Sequence, residues 1–358
     1  MAVSFPQKIV RLCMHGNIAR ITASQKMGRC SLSLVILALA WLGLAAAYCP
    51  DAVSLKPCTC DHYGINCMRA NSTAQLRRAF GCGNATTREH NELWIQKTPI
   101  TSFPSDVLGK FKFGEVHLEL NANLSSFTLD AFEDFKQLLS VLSVYGNALR
   151  TFEFEKLQHF PLLEALNMGE NQLSRIPANA FRSRSLRKLM LTGNPITYIG
   201  ARAFFGLSSL KDLLLSRTRL MTLGPHSLSI PRAHPELKIH VAAGRISTIH
   251  PTAFGSTSPL VMNLASNNLT TLEGHPFEAL VKRMLRNGRR LHRLPLLAIR
   301  GNPLTCRDCS YAWLIPYRFN STMQSVLLGF RCADGSGLST ISARKIACKS
   351  SWNYTNIG

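Results

Sequence analysis

Leu186-Arg-Lys-Leu189-Met-Leu191-Thr-Gly-Asn194-Pro-Ile196-Thr-Tyr-Ile199 sets the pattern for most of the chain. Leu189 and Leu191 alternate with Lys188 and Met190, which reads as a short strand with both leucines on one face. Asn194 falls three residues later, where the chain must turn. Its amide can accept from one backbone group and donate to another, so it suits a turn stacked against its neighbours. Ile196 and Ile199 then return apolar surface to the interior. A segment this short cannot bury its own apolar face, so it has to be one unit of a stack.

Further copies lie on either side at a spacing of 23–24 residues. Upstream they read Leu139, Leu142, Val144, Asn147, Leu149, Phe152, and then Leu163, Leu166, Met168, Asn171, Leu173, Ile176. Downstream come Leu210, Leu213, Leu215, Thr218, Leu220, Leu223, with weaker copies at Ile239, Val241, Gly244, Ile246 and at Met262, Leu264, Asn267, Leu269. Leu294, Leu297, Ile299, Asn302 and Leu304 form a strong last copy. Leu93-Trp-Ile95 and Leu118-Glu-Leu120 read as degenerate first copies, for about nine in all. Ala131-Phe132, Ala180-Phe181, Ala203-Phe204 and Ala253-Phe254 recur behind the strands and predict a spine of phenylalanines there. A helical bundle with chance leucines is the rival, but Asn in fixed register argues against it.

The chain opens on Lys8, Arg11, Arg20, Lys26 and Arg29 with no acid, then an apolar run from Leu32 to Leu44 and Ala45-Ala46-Ala47. That is the pattern of a secretory signal peptide cut near Ala47. Met27 would open a leader of ordinary length, so residues 1–26 read as an over-extended gene model. The alternative is a signal anchor, since about 18 apolar residues can span a bilayer; it would make the chain a signal-anchored, receptor-like ectodomain. Either way the chain after Tyr48 is expected outside the cell, with no second span. Six sequons (Asn71, Asn84, Asn123, Asn268, Asn320 and Asn353) agree with a secreted glycoprotein. The net charge is +21. In an exported chain this points to acidic glycan and away from nucleic acid.

The repeat, with Cys49-Pro50, Cys58-x-Cys60 and Cys67 before it and Cys306-x-x-Cys309, Trp313, Cys332 and Cys348 after it, resembles the extracellular leucine-rich-repeat family. Within that family, Pro57-Cys-Thr-Cys60, Leu124–Phe132 and Phe330–Gly335 resemble a secreted arthropod branch typified by the non-catalytic subunit of a luciferin monooxygenase. The resemblance implies an α/β solenoid with a curved parallel sheet on its concave face and disulfide-bonded caps. It also implies the pairs Cys306–Cys332, Cys309–Cys348, Cys49–Cys60 and Cys58–Cys67, with Trp313 laid over Leu297, Ile299 and Leu304. A solenoid exposes core at both ends, which gives such caps a physical purpose. The expected organisation is a leader at 1–47, an N-terminal cap at 48–90, repeats over 91–300, a C-terminal cap at 301–350 and a tail at 351–358.

Residues flanking the strand leucines should line the concave face: His117, Glu119, Ser143, Tyr145, Asn167, Lys188, Met190, Asp212, Leu214, Lys238, His240, Asn263 and Arg300. A mixed, flat face suits a protein ligand better than a small molecule, which needs a concave apolar pocket. The longest repeat carries a basic helical insertion at 273–293. Phe277, Leu280, Val281, Met284 and Leu285 fall at helical spacing, with Pro276 as its start and Asn287-Gly288 as its end. Lys282, Arg283, Arg286, Arg289, Arg290 and Arg293 are candidates for a sulfated glycan or acidic partner; a merely solvated face is the plainer reading. Arg182, Arg184, Arg187 and Lys188 form a second basic cluster of the same ambiguity.

Catalytic and metal motifs are absent from the sequence, so neither enzyme activity nor a cofactor is expected. Of the eleven cysteines, Cys13 and Cys30 fall in the leader and eight in the caps, leaving Cys82. A free thiol, a shifted pairing and an intermolecular disulfide all stay open. The sequence thus points to a secreted binding protein engaging an extracellular protein partner, with scaffold-subunit and glycan-bound matrix roles as alternatives.

Overall fold

A computed structural model of the chain describes residues 49–83 and 88–348. The chain divides into Met1–Ala46 and Ala47–Gly358. The first unit, with the expected leader, its two cysteines and its cleavage site, lies outside the described residues; so do Asn84, Asn353 and the tail.

Eleven strands of the described residues form one sheet in chain order. They are β1 (Thr59–Cys60), β2 (Gly64–Asn66), β3 (Glu89–Gln96), β4 (Lys112–Glu119), β5 (Val141–Ser143) and β6 (Ala165–Asn167). Then come β7 (Lys188–Met190), β8 (Asp212–Leu214), β9 (Lys238–His240), β10 (Val261–Asn263) and β11 (Leu296–Ala298). β1 and β2 are antiparallel, and every later pair is parallel. The core residues lie in register, Leu142 against Leu166, Leu189, Leu213, Ile239, Met262 and Leu297 in turn. Because side chains alternate across a strand, burying this row forces its neighbours to the opposite face.

The turns after the strands are held by a ladder of buried asparagines. Asn171 Oδ1 accepts from Leu149 N–H at 3.1 Å while its Nδ2 donates to Val144 O at 2.8 Å. Asn194 repeats the arrangement one coil on, accepting from Leu173 N–H at 3.0 Å and donating to Met168 O and Leu191 O at 2.8 and 3.0 Å. Asn147, Asn267 and Asn302 do the same. The residue before each such position is left-handed: Gly146, Glu170, Gly193, Arg217, Ala243, Ser266 and Gly301 all have φ between +51° and +77°. Behind the strands Phe154 meets Phe181 edge to face with centroids 5.0 Å apart, Phe181 stacks on Phe204 at 5.3 Å, and Phe254 meets Phe277 at 6.1 Å.

Three sequence expectations change. The second copy is registered on Val116 and Leu118, not Leu118 and Leu120, because Asn121 is its ladder residue; Leu120 takes the left-handed position (φ +58°) and is exposed. Leu294 is 55% exposed, because the chain is still leaving the helix before β11 when it reaches that residue. That helix, the second of three after α1 (Thr73–Phe80), is α2 (Gly274–Leu291). It begins before Pro276 and runs through Asn287-Gly288, ending only where His292 turns left-handed (φ +52°). Gly288 serves close approach: a Cβ there would lie 2.5 Å from Arg293 O and 2.7 Å from Pro295 Cδ. Trp313 is half-buried and pins the start of α2, its indole N–H donating to Leu272 O at 2.9 Å and its ring lying against Gly274. Tyr311 and Leu314 are the wholly buried residues of that cap segment.

Both ends of the sheet are covered. Disulfides join Cys49–Cys60 and Cys58–Cys67 around β1 and β2, and Cys306–Cys332 and Cys309–Cys348 beyond β11. α3 (Ser321–Val326) buries Met323 and Val326 there, and Ile299 N–H donates to Leu328 O at 3.1 Å.

Candidate functional site

The face opposite the core row is built from half-buried side chains two residues apart on each strand. With strands about 4.8 Å apart, the sheet is roughly 48 Å from end to end. Its chemistry changes along that length.

At the N-terminal end β3 and β4 are eight residues long, so they bring extra side chains to the face. Trp94 stacks flat on His117, centroids 3.8 Å apart and planes 6° from parallel. Glu115 and Glu119 stand 3.6 and 3.5 Å from the two ring nitrogens. Burial works against a charge on His117, but the two carboxylates outweigh it and push its pKa up to about 9. Burial likewise opposes the charge on Glu119, yet His117 and Gln96 hold its pKa below the ordinary value. Glu92 accepts from Trp94 Nε1 at 2.8 Å. The result is an aromatic platform with a protonated imidazole and a surplus of carboxylates.

The middle is more apolar, with Tyr145, Met190 and Leu214 half-buried and Ser143 buried. Asn167 is engaged by its own strand end, accepting from Gly169 N–H at 3.0 Å. Gly169 packs closely there: a Cβ would stand 3.3 Å from the Tyr145 ring and 3.2 Å from Thr192 O. Toward the C-terminal end Lys238, His240 and Arg300 outnumber Asp212, with Asn263 among them. Burial holds the His240 pKa below its usual value.

Eleven of the thirteen expected face residues lie on strands of one sheet, and Tyr145 and Arg300 follow the ends of β5 and β11 by two residues, while Glu92, Trp94, Gln96 and Glu115 escaped the sequence reading. Registering the second copy on Val116-x-Leu118-x-x-Asn121 would have found Glu115, and Glu92, Trp94 and Gln96 are the residues that flank Leu93 and Ile95 of the first copy. The basic residues of α2 do not lie on this face. Lys282 is paired with Glu278, and Arg293 with Glu236, each at 2.7 Å. Arg289 is exposed, whereas Arg283, Arg286 and Arg290 border a cavity. In the second basic cluster Arg187 lies 3.5 Å from Glu164. Cys82 is a half-buried free thiol whose pKa burial pushes up, which makes it a poor nucleophile. Asn71, Asn123, Asn268 and Asn320 are exposed. Among the described residues no group of three or more His, Cys, Asp or Glu could hold a metal ion, and no helix is long and apolar enough to cross a membrane.

In-register parallel strands, an asparagine ladder and disulfide-bonded ends define a leucine-rich-repeat protein with cysteine-rich caps, and the leucine rich repeat family model matches residues 184–231. The chain is 28% identical over 173 residues to the Oplophorus-luciferin 2-monooxygenase non-catalytic subunit of Oplophorus gracilirostris, a match covering 47% of each. It is 27% identical over 198 residues to the human Leucine-rich repeats and immunoglobulin-like domains protein 2, covering 54% of this chain and 17% of that one. These matches span less than half the length of either relative. Among solved structures, a chain of the octameric complex of Latrophilin 3, Unc5D and FLRT2 (LRR) aligns with a TM-score of 0.53 at 18% identity, over 84% of this chain and 100% of that one.

Proposed function

We propose that the chain is a non-catalytic, secreted binding protein that engages an extracellular protein partner through the concave face. The observation carrying this reading is the graded face itself, acidic and aromatic at Glu92, Trp94, Glu115 and Glu119, more apolar at Tyr145, Met190 and Leu214, basic at Lys238 and Arg300. An extended surface of this kind reads a partner's charge order along its length, whereas a small molecule would leave most of it in water. Four disulfides fit an oxidising compartment. The likeness to a subunit named as non-catalytic favours a scaffold role in a secreted complex over catalysis.

Chemical cross-linking of the purified chain in its native secretion, followed by mass spectrometry, tests the reading. Cross-links to a partner should map to the strand face. Met190→Glu should weaken capture of that partner at least tenfold, while Arg219→Glu, an exposed position off the strands, should leave it unchanged. Capture that survives Met190→Glu and falls with Arg219→Glu overturns the assignment.

A further inference from the structure

Three arginines on one side of α2 open onto a cavity of about 350 Å³, closed on its other side by the 230–237 segment and Ser258. None of its lining residues belongs to the main sheet, and none is acidic. Arg283, Arg286 and Arg290 follow one another at i, i+3 and i+7, so their guanidinium groups share a helix face. No carboxylate pairs with any of the three among the described residues, although Lys282 and Arg293 beside them both have one. Like charges at this spacing oppose each other and destabilise the helix that carries them. Something in the fold holds them together regardless.

Two of the three arginines are held by hydrogen bonds. Arg283 is half-buried and its Nε donates to Thr257 O at 2.9 Å, leaving its terminal nitrogens uncommitted. Arg290 donates to Asn287 Oδ1 at 3.1 Å, and Asn287 is itself locked by bonds from Nδ2 to Pro235 O at 2.7 Å and Ser258 O at 2.9 Å. Burial, and then the neighbouring charge of Arg286, hold the Arg283 pKa below its ordinary value. His234 also lines the cavity, and because its Nδ1 accepts from Glu236 N–H at 3.1 Å, the neutral ring carries its proton on Nε2.

We infer that this cavity is a binding site for the sulfate half-ester of an extracellular polysaccharide. A tetrahedral oxyanion satisfies several guanidinium donors at once, with charge-assisted bonds that are short and directional. It also removes the repulsion among the three arginines. The cavity holds more than a bare sulfate, so it can admit part of the sugar that bears it. Four disulfides fit an oxidising, extracellular compartment, where sulfated polysaccharides are met. The site is separate from the concave face and does not rest on the protein-partner reading.

The test uses the full chain and a heparin-derived hexasaccharide, with affinity measured by titration calorimetry. Arg286→Gln with Arg290→Gln should weaken binding at least tenfold. Lys282→Gln with Arg289→Gln, the same charge change on the same helix but outside the cavity, should change it less than threefold. Both variants should melt with the wild type, since Arg283 and Asn287 are untouched; if the first unfolds, Arg286→Lys alone replaces it and should still weaken binding severalfold, because lysine cannot present a fork of donors. Equal losses in the two double variants mean a diffuse basic surface and overturn the site. Failure of the desulfated hexasaccharide to bind is required. If inorganic phosphate or sulfate competes as well as the hexasaccharide, the cavity takes a free oxyanion and the polysaccharide assignment falls.

Discussion

Asn194→Ala removes one rung of the ladder. The amide oxygen is the acceptor for Leu173 N–H, and the amide nitrogen satisfies Met168 O and Leu191 O. Leu173, Met168 and Leu191 are all at most 2% exposed, so water cannot take over these bonds. Met168 O keeps a second donor in Asn171 Nδ2, at 3.2 Å, which leaves one N–H and one C=O wholly stranded. Each stranded buried group costs about 1–3 kcal/mol, so the variant should lose roughly 2–6 kcal/mol. In a stack where each coil touches only its neighbours, that loss is local. Urea unfolding followed by circular dichroism should therefore show a lower midpoint and a second, earlier transition from the coils around β6 to β8. Asn263→Ala, whose side chain accepts only from Ala265 N–H on the strand face, is the control and should cost about 1 kcal/mol or less. If the two variants unfold alike, or Asn194→Ala loses less than about 1 kcal/mol, the ladder is not what holds the turns.

Gly288→Ala should destabilise the chain by about 1–3 kcal/mol and loosen the α2 exit, read as a lower melting temperature, because the new methyl meets Arg293 O and Pro295. His117 titrates in the folded chain at about 9 against an ordinary 6.5. Its contribution to stability is thus complete below pH 6.5 and is lost as pH rises through 9. An imidazole resonance followed from pH 6 to 10 should show that midpoint, and Glu119→Gln should lower it; a midpoint below 7 contradicts the carboxylate cradle. Cys332→Ser opens a 26-residue loop and should cost roughly 3–4 kcal/mol, so its secretion should fall well below that of Tyr145→Ala. Intact mass of the secreted chain should place its first residue near Tyr48, and retained residues before Leu44 would refute cleavage there.

The Leu-x-Leu and Asn positions were legible because each obeys a local rule: alternation across a strand and an amide at a turn. Leu294 shows where that stops. It matches the template by spacing, but whether the position faces the core depends on where α2 releases the chain. Asn287-Gly288 looked like a helix end for a similar reason, since no local rule reveals that Pro295 returns against Gly288. The Trp94–His117 platform was missed because its members lie on separate strands, one coil apart. A reading that places the second copy on Leu118 and Leu120 cannot bring Glu115 beside His117. Trp313 packs against the apolar core, as a cap residue should, and its bond to the Leu272 carbonyl adds a polar contact that no spacing rule reveals.

Val261 and Leu296 are joined by a much longer stretch of chain than Leu189 and Leu213, yet both pairs sit side by side in the same register. The sheet therefore meters where each coil begins and is indifferent to how far the chain wanders before it returns. α2 occupies that slack without disturbing a strand. The two sides of the molecule consequently answer to different rules: the strand side is bound to a fixed pitch, while the opposite side can lengthen or be replaced one coil at a time. A new surface can be grafted there, and the strand face would carry no record of the change.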